Sequence, residues 1–296
     1  MSRPPMRQSG CMVLRWSVIG APSSAGARTP GVERAPAALR SAGLLTALDN
    51  RGVSVQDWGD VAGFRWRPDP DHPNAQNVPA VFRVATEVAK AVATAPGMPL
   101  VLGGDCTVTL GLVAGTARPA LVYVDGGPDL RTPETCPHGN LGATGLAHLL
   151  RLPGCDPMIA SIASVSPRQV VLYGAELLPG EPDHDLVSRL RLAHVPADEI
   201  RTGPARAAAR ARFAAEDAAE NFVVHVDVDV LRFALAPYAD VPEPGGLTLS
   251  EVSQSLAVLT ASPQFAGIAV TGVNPDHVPG EVGFGPLVDA LATGLS

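Results

Sequence analysis

Basic charge and long apolar runs are both scarce in this chain of 296 residues. Lys90 is the only lysine, and the formal net charge is −7 at pH 7. Because no basic surface would attract a phosphate backbone, nucleic acid is not expected as a partner. No segment has the roughly 18 consecutive apolar residues of a membrane-spanning helix, so no membrane partner is expected either.

Signal-peptide character and paired cysteines are also missing. Residues 1–15 contain three arginines and no continuous apolar stretch, which predicts a flexible leader on a cytoplasmic protein. Residues 16–296 are expected to form one domain. The cysteines lie far apart, at Cys11, Cys106, Cys136 and Cys155. Without C-x-x-C spacing they predict neither a disulfide framework nor a zinc knuckle.

What the chain does contain is an alternation of apolar runs with segments of helical period. The expected strands are residues 13–19, 53–58, 99–102, 120–125, 170–174, 222–227 and 267–273. The expected helices are residues 36–50, 81–95, 108–115, 142–150, 204–220, 250–261 and 287–295. This order predicts an α/β protein with a mostly parallel sheet and helices on both faces.

Three of these strands run into acidic loops. Asp105 lies beyond the third strand, Asp125 ends the fourth with Asp129 beyond it, and Asp227 ends the sixth with Asp229 beyond it. The carboxyl ends of parallel strands meet at one edge of a sheet, so these side chains are expected to share one crevice. Each aspartate alone is more often a helix cap or an Asx-turn, but a cluster of them needs a cation, a cationic ligand or raised pKa values.

Several motifs carry a resemblance to the arginase, agmatinase and formiminoglutamase family, also called the ureohydrolases. The opening of residues 18–61 is similar to that of an arginase, and residues 102–105, 124–129 and 132–141 resemble the family runs LGGDH, DAHxD and SGNLHG. Residues 227–229, 242–247 and 273–275 resemble DxD, PxPGGL and EVNP. The resemblance implies a three-layer α/β/α arginase-type fold with a mostly parallel sheet of about eight strands.

The departures from those motifs affect the residues on which the family's chemistry depends. The two histidines that bind manganese in the family are Cys106 and Gly127 here. The histidine that transfers protons is Gly142, and the glutamate of EVNP, which holds the guanidinium group in arginases, is Gly272. The family's standard reaction, in which a hydroxide between two Mn²⁺ ions releases urea, is therefore expected to be absent or vestigial.

The aspartates that bind metal in the family are kept. They are Asp125, Asp129, Asp227 and Asp229. Together they predict a weakened divalent-metal site, with Mn²⁺ as the candidate ion, or a site that holds no metal.

Cys106 and His225 are the candidate catalytic residues. Cys106 would open a helix, where a lowered thiol pKa favours nucleophilic attack, although a small buried cysteine explains the residue equally well. His225 shares the face of Asp227 on the strand and would supply an imidazole, although a buried structural histidine is the commoner case.

The resemblance places the substrate-binding candidates in two loops. Arg131 would pair with a substrate carboxylate, unless it is a surface residue or pairs with Glu134. The other candidates are His138, Asn140, Glu176 and Glu181.

Two functions follow from these observations. The first is a non-catalytic ligand-binding or regulatory homologue that holds a small cationic or carboxylate-bearing metabolite. The alternative is a repurposed hydrolase acting on a C–N bond of a guanidino or amidino compound through the aspartates or Cys106. As its relatives do, the chain is expected to form a trimer or hexamer, or to assemble with an active paralogue.

Overall fold

A computed structural model describes residues 15–241 and 245–296. The predicted leader lies outside this part of the chain except for Arg15, which begins the first strand. The first half of the PxPGGL-like segment, residues 242–244, also lies outside it. In the described residues no helix is both long and apolar enough to cross a membrane.

Eight parallel strands form one sheet. They are β1 (Arg15–Ala21), β2 (Ser54–Asp60), β3 (Met98–Gly103), β4 (Ala120–Val124), β5 (Val170–Tyr173), β6 (Ala193–Val195), β7 (Phe222–Asp227) and β8 (Phe265–Thr271). Their order across the sheet is β2-β1-β3-β8-β7-β4-β5-β6, and every neighbouring pair is parallel. The predicted α/β fold with a parallel sheet of about eight strands is confirmed.

The α-helices alternate with these strands. They are α1 (Ala35–Ser41), α2 (Leu44–Asp49), α3 (Val78–Thr94), α4 (Val108–Gly115), α5 (Gly145–Leu149), α6 (Pro157–Ala160), α7 (Pro182–Leu190), α8 (Ala197–Thr202), α9 (Pro204–Ala218), α10 (Leu249–Thr260) and α11 (Gly285–Gly294).

Alternation along the strands divides the core into two layers. Trp16 and Val18 face one layer with helices α1, α2 and α8 to α11, whereas Ile19 and Val101 face the other layer with α3 to α7. Side chains on a strand point alternately to the two faces of the sheet, and helices cover each face, so both core layers are buried.

The sequence prediction differs from this fold in a few short elements. The expected helix at residues 36–50 is two helices, because Gly43 adopts a left-handed φ of 87° between them. The edge strand β6 and the helices α6, α7 and α8 were not predicted, because segments this short leave little periodicity to detect.

The strand order brings the acidic loops together. Strands β3, β8, β7 and β4 are consecutive at the centre of the sheet, and each runs towards the same edge. The loops after all four strands therefore converge over one crevice, which the sequence predicts for the three acidic loops after β3, β4 and β7.

Candidate active site

A pocket of about 330 Å³ opens at the carboxyl edge of the four central strands. The acidic side chains on its wall are Asp105, Asp125, Asp129, Asp183, Asp227, Asp229 and Asp240, and the thiol of Cys106 lies among them. The other polar side chains are Arg28, Arg131, Cys136, His138 and Asn140. The pocket thus combines many carboxylates with two guanidinium groups.

Four potential metal ligands meet at the base of this pocket. One donor atom from each of Cys106, Asp125, His225 and Asp227 lies within 4.8 Å of the other three. Asp125 follows β4 directly, and His225 and Asp227 are on β7, the strand that pairs with β4. A thiol, an imidazole and two carboxylates at this spacing match the donor types of protein metal sites.

Cys106 lies between β3 and α4 and is in contact with Asp227. Its Sγ is 2.6 Å from Oδ2 of Asp227. Burial, followed by the charges of Asp227 and Asp129, raises the thiol pKa well above its usual value. This is the opposite of the lowered thiol pKa expected at a helix start, because burial and then the nearby carboxylates outweigh the effect of a short helix.

His225 is fully buried below the pocket floor. Its Nδ1 is 2.6 Å from Oγ1 of Thr109, and its Nε2 is 3.3 Å from Oδ2 of Asp125. Its ring stacks on Tyr123 with the ring centroids 4.0 Å apart. Burial lowers the imidazole pKa to about 3, so the ring is neutral at physiological pH.

Hydrogen bonds from the backbone and from Tyr123 hold the four family aspartates. Asp125 accepts from the N–H of Gly127 at 2.7 Å, and Asp227 accepts from the N–H of Asp229 at 2.9 Å. Asp229 in turn accepts from the N–H of Gly126 at 2.9 Å. These bonds fix the carboxylate directions at the ends of β4 and β7.

The hydroxyl of Tyr123 donates to Oδ2 of Asp129 over 2.6 Å. Burial raises the pKa of Asp129 to about 7, and burial followed by the charges of Asp229 and Asp129 raises the pKa of Asp125 well above its usual range. Several carboxylates crowded in one buried place resist ionising together, which is the condition that a bound cation relieves.

Glycines stand at three places where the family has functional side chains. A side chain started at Gly127 would meet only Asp125 Oδ1, at 3.7 Å, so the place of the second family imidazole is open space. At Gly272 a Cβ would lie 2.1 Å from Oδ1 of Asp227. At Gly142 it would lie 3.0 Å from Oδ1 of Asn140. The residues therefore fit one divalent ion at the Cys106 cluster better than the family pair.

The substrate-binding candidates divide between the pocket and its surroundings. Arg131, His138 and Asn140 line the pocket. Among residues 15–241 and 245–296, no carboxylate lies within ion-pair distance of Arg131, so the pairing with Glu134 is not formed. Glu176 lies outside the pocket lining, 3.6 Å from Arg201, and Glu181 precedes α7. The structure thus brings three of the five candidates together.

Comparison with known proteins identifies the family. The model of the arginase family matches residues 14–282. The chain belongs to the arginase family. It is 30% identical to arginase-1 of Mus musculus over 273 residues, covering 87% of this chain and 84% of the relative. It is 28% identical to an arginase of Brevibacillus brevis, covering 88% of this chain and 90% of that protein. A solved arginase from Bacillus caldovelox superimposes with a TM-score of 0.84 at 25% identity, covering 96% and 98% of the two chains.

These findings correct the expected function. The arginase-family chain aligns over most of its length with enzymes named arginase, and four potential metal ligands have donor atoms within 4.8 Å of one another. The prediction of a non-catalytic ligand-binding homologue is therefore wrong. It rested on counting lost histidines, whereas the fold supplies a thiol and a new imidazole beside the retained aspartates.

Two acidic pocket residues were missed by the sequence interpretation. Asp240 lies in the loop after β7, and Asp183 lies in the unpredicted helix α7. Neither residue belongs to a motif. Only the folding of distant loops over the same crevice shows that they face it.

Proposed function

We propose that this arginase-family protein is a metal-dependent hydrolase that releases urea from a guanidino compound carrying a carboxylate. The observation that carries the proposal is the donor cluster of Cys106, Asp125, His225 and Asp227 at the base of the acidic pocket. The family usually binds a divalent metal, and these four residues would hold it. When bound, such an ion polarises a substrate and lowers the pKa of water.

The carboxylates select the charge of the substrate. Asp229 and Asp240 lie on the pocket wall in addition to the proposed ligands. A guanidinium group is planar, always charged and able to donate two parallel hydrogen bonds to one carboxylate. The acidic part of the pocket therefore favours a guanidinium group over a neutral amide, and it orients the central carbon towards the metal-binding cluster.

Arg28 and Arg131 supply the opposite charge. Both line the pocket, and both are close enough to Cys136 for their positive charges to lower its pKa, against the larger effect of burial. Within the described ranges neither arginine is in an ion pair with a protein carboxylate. A substrate carboxylate would fill this role, which favours a guanidino acid over a guanidino amine such as agmatine.

Proton transfer needs a group in contact with solvent. His138 is exposed and lines the pocket, whereas His225 is fully buried. We therefore assign the proton exchange with solvent to His138, in the absence of a side chain at Gly142. His225 would act as a neutral ligand, because burial keeps its pKa at about 3.

Three predictions accompany this proposal. Manganese is the ion expected from the resemblance, a trimer or hexamer is the expected assembly, and the cytoplasm is the expected location. Light scattering during gel filtration tests the assembly, and fractionation of the source cells tests the location.

The decisive experiment measures urea release. The purified protein, loaded in turn with Mn²⁺, Co²⁺ and Zn²⁺, is incubated with L-arginine, 4-guanidinobutanoate and agmatine. We expect release from at least one of the two acids and much weaker release from agmatine.

The Arg131→Gln variant should raise KM for the acid about tenfold, as loss of a charged hydrogen bond predicts. The matched control Arg206→Gln removes an exposed guanidinium on α9, away from the pocket. Metal-loaded protein that releases no urea from any guanidino compound would contradict the proposal.

A further inference from the structure

We propose that the metal centre is a single-ion site with a sulfur ligand, built from Cys106, Asp125, His225 and Asp227, and selective for zinc-type ions over manganese. This inference deepens the proposed function and rests on it only in that the cluster binds a divalent ion. It replaces the expectation of Mn²⁺ with a preference set by the donor atoms of this chain.

The donor types favour a zinc-type ion. Mn²⁺ is a hard ion that prefers carboxylate, carbonyl and water oxygens, whereas thiolate sulfur suits Zn²⁺ and its spectroscopic substitute Co²⁺. At a given site of nitrogen, oxygen and sulfur donors, Mn²⁺ binds most weakly of the first-row divalent ions. One cysteine among four donors is therefore enough to shift the preference, and Cys106 stands in the place of a family imidazole.

One pair of donor atoms already has the spacing expected around a tetrahedral ion. Ligand distances of about 2.0–2.1 Å to nitrogen or oxygen put two such ligands about 3.3 Å apart around a tetrahedral centre. His225 Nε2 and Asp125 Oδ2 are 3.3 Å apart. Cys106 Sγ and Asp227 Oδ2 are 2.6 Å apart, so binding one ion would require them to separate by about 1 Å.

The neighbours of His225 orient its imidazole ring for metal binding. Thr109 lies 2.6 Å from Nδ1, and the stacked ring of Tyr123 fixes the imidazole plane. With Nδ1–H donated to the Thr109 hydroxyl, the lone pair of Nε2 points to the cluster. An outer hydrogen bond of this kind usually fixes the tautomer of a histidine that binds metal.

The loss of one family ligand argues for one ion. The second family ion would depend on Gly127, where no donor atom exists and the nearest atom to a built Cβ is 3.7 Å away. Asp129 is already held by Tyr123.

The test is a competition for metal. Metal-stripped protein is given equal concentrations of Zn²⁺, Co²⁺ and Mn²⁺, and the retained ions are counted by plasma mass spectrometry. We expect about one ion per chain, with zinc-type ions exceeding Mn²⁺ at least about tenfold. The protein loaded with Co²⁺ alone should show a sulfur-to-cobalt charge-transfer band in the near ultraviolet.

Variants of the proposed ligands test which residues bind the metal. Cys106→Ser should abolish the charge-transfer band, and Cys106→His should shift the preference towards Mn²⁺. Cys155→Ser, which changes a cysteine outside the pocket lining, should keep both band and preference. His225→Gln should lower Zn²⁺ affinity by more than about 100-fold, because a direct ligand is lost and the loss of an outer partner alone costs about 10–100-fold. Circular dichroism of each variant shows that a lost band does not reflect an unfolded chain.

Several outcomes would overturn the inference. These are two tightly held Mn²⁺ ions per chain, a charge-transfer band that survives in folded Cys106→Ser, or unchanged Zn²⁺ affinity in folded His225→Gln. The outcomes differ from those of the proposed function. A zinc-binding chain that releases no urea contradicts the function alone, whereas urea release with two Mn²⁺ ions contradicts only the metal assignment.

Discussion

The backbone N–H of Asp240 donates a hydrogen bond to the carbonyl oxygen of Gly272 over 2.8 Å. The neighbouring residues Ala239 and Val273 form an antiparallel bridge, so the loops after β7 and β8 are joined at the pocket. The Asn274 amide donates to Oδ1 of Asp240 over 2.7 Å. The carboxylate of Asp240, fixed by the Asn274 amide, therefore lies beside Gly272. Gly272 stands where the family has its guanidinium-binding glutamate.

Removing the charge of Asp240 should weaken binding of the guanidinium group. In Asp240→Asn, KM for a guanidino acid should rise about 10–100-fold while kcat changes less, because a hydrogen bond to a charged group contributes about 1.5–3 kcal/mol. Steady-state urea release measures both constants. The control Asp217→Asn removes an exposed carboxylate that pairs with Arg168. An unchanged KM in Asp240→Asn would exclude contact with the guanidinium group.

Restoring the family's glutamate at Gly272 should damage the protein. Gly272 has a φ of +73°, and a Cβ there would lie 2.1 Å from Oδ1 of Asp227. Even Gly272→Ala should displace that carboxylate, and the left-handed backbone alone costs about 1–2 kcal/mol for a residue with a side chain. We expect Gly272→Ala and Gly272→Glu to lower both Tm and bound metal.

Differential scanning calorimetry and metal counting check this pair of variants. Gly280→Ala is the matched control, because a Cβ at Gly280 meets no atom within 4 Å. An active, metal-loaded Gly272→Glu protein would show that Asp227 has room to move and is not fixed by this contact.

The sequence predicted the sheet because its central strands are apolar runs bounded by glycine and aspartate. Strand β7 begins and ends at the predicted residues, 222 and 227, and α4 spans the predicted 108–115. Strand β6 and helix α7 escaped prediction, since one is a three-residue edge strand and the other is mostly polar. Such elements form through their tertiary contacts rather than through periodicity.

The candidate site was predictable only in part, for the same reason. Asp125 and Asp227 end predicted strands, so their convergence followed from the topology. Cys106 contacts Asp227, which lies 121 residues later in the sequence, and the direction of the Cys106 thiol depends on the loop that follows β3. Asp240 is in an irregular loop, and neither composition nor spacing indicates that it lies beside Gly272.

Loss of the Tyr123 hydroxyl should disturb the metal-binding cluster without touching a proposed ligand. Burial, followed by the charges of Asp129 and Asp125, raises the phenol pKa well above its usual value, so the hydroxyl stays a donor to Asp129. Tyr123→Phe keeps the ring that stacks on His225. Because Asp129 lies beside the cluster but is not one of its four proposed ligands, metal affinity and kcat/KM should fall by less than the roughly 10–100-fold loss typical of partners that bond directly to a metal ligand.

Competition with a fluorescent chelator measures the affinity of Tyr123→Phe for metal. Tyr173→Phe is the control, because its hydroxyl contacts Ser255 on the opposite side of the sheet. Equal metal affinity and equal activity in wild type and Tyr123→Phe would show that Asp129 needs no support from the phenol.

His148 should make the protein less stable at acidic pH. The imidazole is buried, its Nδ1 lies 2.8 Å from the Thr144 carbonyl oxygen, and the N–H of Asp156 donates to Nε2 over 3.1 Å. These bonds require the neutral ring, and burial lowers its pKa below the usual 6.5. The unfolded chain therefore binds a proton that the folded chain does not bind once the pH falls below about 6.5.

This difference in bound protons sets the direction in which the free energy of unfolding changes with pH. The contribution of His148 to the free energy of unfolding is fully present above pH 6.5. Below that value it falls by at most about 1.4 kcal/mol for each pH unit until the imidazole of the folded chain is protonated. His148→Asn cannot gain this proton, although it should cost about 1–2 kcal/mol at pH 8 because one buried hydrogen bond is lost. Urea unfolding at pH 8, 7, 6 and 5, with metal saturating, should show the two stability curves converging as the pH falls. Curves that stay parallel would mean that His148 takes up its proton equally well in the folded and unfolded chains.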